Sequence, residues 1–436
     1  MKKSLSKKNI QRSYSDESSD DDISDSYQDS LISSIKALSH KESEKKKEVA
    51  TPTNSRIEFV KNILDGAELK GMIDFDACDT ESSKDTRLHK RIMDVTELFS
   101  SMRVTLKYLK SGTTGHTFKA ISRDNNNVAF AVKVCAYPID EYGPIKSASR
   151  PENVELRMLK LLSYFVLNKA TPHFVLPIGT FNTSIAHFIK VPENMINLND
   201  RKNDLYKKFI EKYKKGEFHD FVSILISEWC NGGDLLDYIR HNYQNMNLRT
   251  WTVIIFQLLY TLTLVHQKYP AFRHNDMKAN NILVQLIDIP KSQEDRRYKY
   301  SLDPNFFVIP HIGLIIKIWD FDFSSIDGFI DNKKVNAKWT SKMNISSKKN
   351  QYYDIHYFFN TLIHEKFFPQ FYKGGAPKEI VDFVHRIIPE NYRGVSTLEG
   401  ANVNKKGRIQ VDVEYTTPYN VIMKDKLFEK YRFTQP

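Results

Sequence analysis

Asp276, Lys278 and Asn281 stand at i, i+2 and i+5 behind His274, in the stretch Arg273 to Val284. A carboxylate there can orient a hydroxyl nucleophile, an ammonium can sit beside a moving phosphoryl group, and an amide oxygen can take a metal; that order suits phosphoryl transfer. The same string also fits a helix-to-strand loop without chemistry, so the rest of the chain has to decide. A further acid, Asp320, ends the apolar run Gly313 to Trp319. It is well placed to share a divalent ion with Asn281, and Mg²⁺ commonly bridges protein oxygens to phosphates. Lys133 alternates out of the apolar strand Val128 to Val134, where a charge is costly unless it meets a counterion or a phosphate.

The elements that must position these residues follow from periodicity. Trp251, Ile254, Ile255, Leu258, Leu259, Leu262 and Val265 form the stripe of a core helix ahead of Asp276. An apolar strand, Asn281 to Leu286, follows it. Upstream, Val104 to Leu109 leads through Ser111, Gly112, Thr113, Thr114 and Gly115 into a second strand, and Asp124 to Asn127 turns the chain into the strand of Lys133. Small residues at such a hairpin tip let backbone N–H groups approach a phosphate chain. The next helix has Ser149 to cap it, Pro151 in its first turn, and Val154, Met158, Leu161, Leu162 and Phe165 at helical spacing. Glu155 lies beside that stripe and wants a cation; Lys133 is the candidate.

Phe174 to Ile178 reads as an apolar strand. Phe221 to Ile226 reads as a buried one running into Gly232-Gly233, as at a hinge between two lobes. Between them, residues 181–219 break the rhythm and hold a basic amphipathic helix from Asp204 to a stop at Gly216. It is either a surface for a membrane or an acidic partner, or an insertion with solvated lysines. Residues 288–308 read as a polar insertion and Asn332 to Asn350 as a mobile lysine-rich segment. In the apolar helix Tyr352 to Ile363, Asp354 needs buried donors and is expected to be a structural anchor. Helices are predicted over Glu379 to Ile388 and, capped by Thr417-Pro418, over Tyr419 to Tyr431.

Composition bounds the class. The chain of 436 residues is long enough for two packed lobes plus extensions. Residues 1–55 carry 10 basic and 10 acidic side chains, many serines and almost no core material, and read as a disordered tail. The net charge of +11 therefore falls on the remainder, a basic body that attracts acidic proteins, nucleic acid or anionic membrane, or is merely soluble. Short apolar clusters over 56–101 suggest one or two helices. No apolar run of membrane-spanning length and no secretory signal stands out. Three scattered cysteines, Cys78, Cys135 and Cys230, suggest a reducing compartment without disulfides or a metal cluster.

Taken together, these motifs resemble the protein kinase fold over about residues 104–433. The resemblance implies an α+β, two-lobed architecture. A kinase N-lobe at 104–230, with an antiparallel sheet, one main helix and the insertion 181–219, would be followed by a mostly helical C-lobe at 231–436; a tail (1–55) and an extension (56–103) would precede both. Ser111 to Gly115 resembles the glycine-rich loop, with Lys110 where the first glycine usually stands, which makes Gly112 and Gly115 ATP-binding. Ala131-Val132-Lys133 is similar to the strand lysine of the α- and β-phosphates, and Glu155 matches its helix partner. Glu228 to Cys230 resemble the adenine-binding hinge, with Ser227 at the gatekeeper place, and Asp234 matches the acid that often meets the ribose. His274-Asn275-Asp276 stands for His-Arg-Asp, making Asp276 and Lys278 catalytic and Asn281 a metal residue, while Asp320-Phe321-Asp322 stands for Asp-Phe-Gly.

More narrowly, Asp320 to Ser324 and Tyr352 to Leu362 resemble the poxvirus serine/threonine kinases of virion assembly and their relatives in other large DNA viruses. The resemblance implies ATP with Mg²⁺ (or Mn²⁺), serine/threonine transfer to protein substrates that include acidic or virion proteins, and an intracellular, virion-packaged enzyme. It implies no nucleic-acid motif; a membrane contact stays open. The sequence also departs from the pattern. Asn275 replaces the arginine that usually reads an activation-segment phosphate, so phosphorylation there is expected to be dispensable. No Ala-Pro-Glu follows Asp320, so Arg393 needs another partner than its usual glutamate, and Asp322 in place of glycine puts ordinary inactive-state switching in doubt. Two rival readings remain: a small-molecule phosphotransferase, and a pseudokinase scaffold for an acidic or membrane partner.

Overall fold

The computed structural model describes residue 90, residues 92–112, 115–124, 128–190, 196, 203–288 and 296–434; the tail and most of the extension lie outside these. Alternating burial along three successive strands builds the first lobe. They are β1 (Val104–Ser111), β2 (Gly115–Ser122) and β3 (Ala129–Pro138), joined by β4 (Pro177–Ser184) and β5 (Phe218–Glu228). All pair antiparallel in the order β1-β2-β3-β5-β4. One face buries Phe118, Phe130, Val132, Phe181, Val222 and Ile224, the burial that holds a sheet together. A short helix, α1 (Val95–Ser101), packs on this cluster and is capped by Asp94. The turn Asp124–Asn127 lies largely outside the described residues.

Helix α2 (Pro151–Leu167) supplies the second layer. Its N-cap is Arg150, with no side-chain cap bond, and not Ser149 as expected. Arg150 is fully buried and donates to the carbonyls of Gly143 and Pro138, so a guanidinium binds the connection ahead of the helix where a hydroxyl was expected to cap it.

Two expectations for the region between the lobes need correction. The strand foreseen at Phe174 starts at Pro177 and runs on to Ser184; Phe174 makes only an isolated bridge to Ile318. The irregular stretch is correspondingly shorter, because β5 already begins at Phe218. Inside it, helix α3 (Asp204–Lys214) ends at Gly216, whose φ of +73° is left-handed. Tyr206 and Phe209 turn inward and pack on His116 of β2, with ring centroids 4.9 and 4.4 Å apart. The lysines stand on the outer side of a helix that braces the hairpin.

The second lobe is organised by α4 (Leu235–Asn242) and above all by α5 (Leu248–Lys268). By length and apolarity α5 is long enough to cross a membrane, contrary to the sequence reading. Here it is the central core helix, with Trp251, Phe256, Leu259 and Leu262 packed among the other elements. From it the chain passes through β6 (Phe272–Arg273) to β7 (Ile282–Leu286).

The supposed polar insertion is instead a hairpin. Strands β8 (Arg297–Leu302) and β9 (Asn305–Pro310) bury Tyr300, Leu302, Phe307 and Ile309. Strand β10 (Leu314–Ile318) then pairs antiparallel with β7, and β11 (Ser325–Ile326) with β6. Helices α6 (Tyr353–Leu362), α7 (Lys378–Ile387) and α8 (Pro418–Lys424) complete the lobe. Thr417 caps α8 as expected, but the helix stops at Lys424, and Arg432–Thr434 forms β12 on the edge of β9.

Candidate active site

Lys133 projects from β3 onto α2. Its Nζ lies 2.6 Å from Glu155 and 2.8 Å from Asp320, which follows β10. One ammonium thus sits between two carboxylates from opposite lobes. Burial pulls the ammonium down, but Asp320 and Glu155 outweigh it and hold Lys133 well above its ordinary range. Burial works to raise Asp320 as well, yet Lys133 holds its carboxyl far below the usual carboxylate range. Glu155 goes the other way: burial, with repulsion from Asp320 and Asp322, pushes it up to about 7 against the pull of Lys133. Two acids sharing one cation split in this way.

A pH dependence follows. The Glu155 carboxyl is raised in the folded state from an ordinary 4.5, so its contribution to stability is complete below that value and lost as pH rises through about 7. Tm is therefore expected to fall between about pH 5 and pH 8, and Glu155→Gln to flatten that fall. Equal slopes in both proteins would contradict the assignment.

Asp320 has a φ of +67° and Asn275 of +63°, left-handed conformations that non-glycine residues hold only where the surroundings enforce them. Phe321 is fully buried against Phe174 and His274, and His274 Nε2 bonds the Trp319 carbonyl at 2.9 Å. Asp322 pairs with Lys334, whose ammonium also lies 3.8 Å from the Phe323 ring centroid. That pair ties down a segment expected to be mobile. Asn332 is buried and donates to the carbonyls of Asp322 and Ser324 at 3.0 and 2.9 Å; Asn350 donates to the Val413 carbonyl at 3.1 Å. Buried polar side chains, with Val335 and Ile345 buried beside them, order residues 332–350.

The loop between β6 and β7 hangs from α6. Asp354 accepts the backbone N–H of His274 at 2.7 Å and of Asn275 at 2.9 Å, the anchoring role expected of it. Asp276 lies below this anchor. Its Oδ2 is 2.8 Å from Lys278 Nζ and accepts from Asn281 Nδ2 at 2.8 Å. Burial pulls Lys278 down, but the charge of Asp276 outweighs it and raises the ammonium above its ordinary value. Asn281 commits its second N–H to the Asp276 carbonyl at 2.9 Å, leaving the amide oxygen to meet a cation. The Asn281 carbonyl accepts from Trp319 N at 3.2 Å, which sets this loop beside Asp320.

The remaining site candidates are positioned differently. The Glu228 carboxylate faces inward, 2.8 Å from the buried Lys317 and 2.8 Å from Leu176 N, so only its backbone can meet a ligand. Cys230 is buried in the core of the second lobe. Asp234 caps α4 by accepting from Asp237 N at 2.9 Å, and burial raises its carboxyl. Gly232 and Gly233 are stitched to Val284 by two backbone bonds, and a Cβ on Gly232 would meet Val284 at 2.7 Å. The hinge is thereby tied directly to the strand that follows Asn281. Gly115 has a packing reason to be glycine, since a Cβ there would overlap the Val134 carbonyl, whereas Gly112 has open space. Thr113 and Thr114 lie outside the described residues. Arg393 finds carbonyls, of Ile388 at 2.7 Å and His385 at 3.2 Å, in place of a carboxylate.

One residue escaped the sequence reading. Arg408 donates through Nη2 to Asp276 Oδ1 and through Nη1 to the Asn275 carbonyl, and its guanidinium stacks 4.0 Å from the Tyr357 ring centroid. Nothing in its local sequence, Lys405-Lys406-Gly407-Arg408, points to a loop 132 residues away.

Sheet lobe, helical lobe and the Lys133–Glu155–Asp320 cluster between them define a protein kinase-like fold. Residues 145–387 match the poxvirus serine/threonine protein kinase family. The chain is also 63% identical over 431 residues to the Acanthamoeba polyphaga mimivirus protein R400, which carries a provisional serine/threonine-protein kinase name; the match covers 99% of this chain and 91% of its relative. A second mimivirus protein with a name of the same kind, R301, is 24% identical over 279 residues, 55% of this chain and 68% of its own length. This chain belongs to the poxvirus serine/threonine protein kinase family.

Proposed function

We propose that the protein transfers the γ-phosphoryl group of ATP to serine or threonine of protein substrates. The observation that carries this reading is the Asp276 carboxylate held 2.8 Å from Lys278 and 2.8 Å from Asn281 Nδ2, on a loop bonded to the backbone just ahead of Asp320. Asp276 orients the substrate hydroxyl and accepts its proton late, while Lys278 offsets charge on the group in transfer. Lys133, fixed by Glu155, positions the triphosphate. Positioning and electrostatics supply most of the rate in such a mechanism.

Among the described residues no group of three or more His, Cys, Asp or Glu gathers to hold a metal alone. Asn281 and Asp320 offer hard oxygen donors and leave the rest of the shell to phosphate and water, the pattern that suits Mg²⁺. Bound there, Mg²⁺ would neutralise charge on the phosphate chain. The serine/threonine preference rests on Lys278. Its substrates on this reading are viral proteins, including virion components, within the infected cell; membership of a poxvirus kinase family is what supports it.

Incubation with γ-labelled ATP, Mg²⁺ and casein or a basic protein tests the reading; label on serine or threonine supports it, and no transfer with nucleotide bound sinks it. Asn275 Nδ2 donates to the carbonyls of Phe323 and Ser346 at 3.0 and 3.1 Å, binding the segment after Asp320 without a phosphate. Phosphatase-treated protein is therefore expected to keep its activity. Loss of activity on dephosphorylation would contradict this.

A further inference from the structure

Arg408 is engaged through both terminal nitrogens, Nη1 and Nη2, at a place its local sequence does not foretell. It is 4% exposed, and its guanidinium reaches the Asp276 carboxylate, the Asn275 carbonyl and, at 3.0 Å, the Tyr353 hydroxyl. The backbone presenting it is pinned on both sides. Asn404 Oδ1 accepts Arg408 N at 3.1 Å, the Gly407 carbonyl accepts from Asn360 at 2.8 Å, and the Ile409 carbonyl accepts from Asn344 at 2.8 Å. These contacts fix the guanidinium plane relative to α6, the helix that anchors the Asp276 loop. A planar fork held this rigidly sets the direction of one carboxylate oxygen, which a flexible ammonium does not. It also leaves Lys278 and Asn281 to bind the other oxygen.

We propose that Arg408 is a positioning residue for phosphoryl transfer: it fixes the rotamer of Asp276 from the far side of the lobe, so that the second carboxylate face meets the substrate hydroxyl. Its contacts are with the enzyme, and it acts through Asp276. The inference rests on the kinase reading above. It adds a second brace, from the segment around Arg408, to the loop that Asp354 already holds by its backbone.

The test compares wild type, Arg408→Ala and Arg408→Lys in the full chain, measuring kcat, KM for ATP, and the nucleotide-induced shift in Tm. Loss of one charge-assisted bond corresponds to about 10- to 100-fold in rate. Arg408→Ala is expected to lose that much kcat with KM for ATP nearly unchanged. Added guanidinium ion is expected to restore part of the kcat of Arg408→Ala and none of any loss in a distant core variant. Arg408→Lys is expected to fall between wild type and Arg408→Ala, and it carries the comparison if the alanine variant does not fold. Unchanged kcat in folded variants overturns the positioning role while leaving the kinase reading intact. Higher kcat overturns it too, by making Arg408 a latch on Asp276. A wild type that binds nucleotide and transfers nothing sinks both readings together.

Discussion

Asp276→Asn is expected to lower phosphoryl transfer by about 10²- to 10⁴-fold, the range a positioned general base contributes, with nucleotide still bound. The substitution keeps the shape of the side chain and removes its charge and one acceptor. Asp276 now meets two cations, Arg408 and Lys278, and accepts from Asn281. An asparagine has one oxygen for them and turns an N–H₂ toward the rest. The buried Arg408 then loses its counter-charge, and leaving one partner of a buried pair alone costs up to roughly 3–5 kcal/mol. Tm should fall along with activity, so the decisive pair of readouts is label transfer and the nucleotide-induced Tm shift. Near wild-type transfer would remove Asp276 from the mechanism. Nucleotide binding without transfer in the wild type as well would favour a binding scaffold over an enzyme.

Lys133→Met is expected to cut the rate by about 10²- to 10³-fold, the scale for removing one preorganised charge contact. Lys133 is the cation between Glu155 and Asp320. Without it the buried Glu155 and the half-buried Asp320 lose the cation they share, and one must take a proton or move away. Asp320 is then freed from its ion pair but is no longer held well below the usual carboxylate range, so both its charge and its place change together. The assay is the same labelled transfer, run beside Asp276→Asn. A Lys133→Met protein with full activity would disconnect this cluster from the triphosphate and from the proposed chemistry.

What was legible in the sequence was local. Lys133, Glu155, Asp276, Asn281 and Asp320 each stand on an element whose burial pattern spans only a few residues; Lys133, Glu155 and Asp320 meet in one cluster, Asp276 and Asn281 in another, and the Trp319–Asn281 backbone bond links the two. The burden on Asp354 was legible too, because an acid in so apolar a helix has to find donors. The failures share another cause. Arg408 reaches Asp276 across 132 residues, and no periodicity encodes that. Residues 332–350 looked mobile because much of their order comes from buried amides and Lys334, which composition counts as surface, and only Val335 and Ile345 add buried apolar side chains. The 288–308 stretch hid a hairpin because Tyr300 sits among charged residues, and the third strand of its sheet lies far downstream. Ser149 lost the cap of α2 to Arg150, whose bonds reach back to Gly143 and Pro138, outside any capping pattern.

The three-stranded sheet β8-β9-β12 imposes a schedule on synthesis. Asn305 and Thr434 are bonded across 129 residues, so β9 is made long before its outer partner exists. At about 5–20 residues per second of translation, that gap lasts on the order of 6–25 seconds. Throughout it, the edge of Asn305-Phe306-Phe307 presents unpaired backbone groups of the kind that recruit other strands. The outer edge of β9 is thus covered only after β12 has been made.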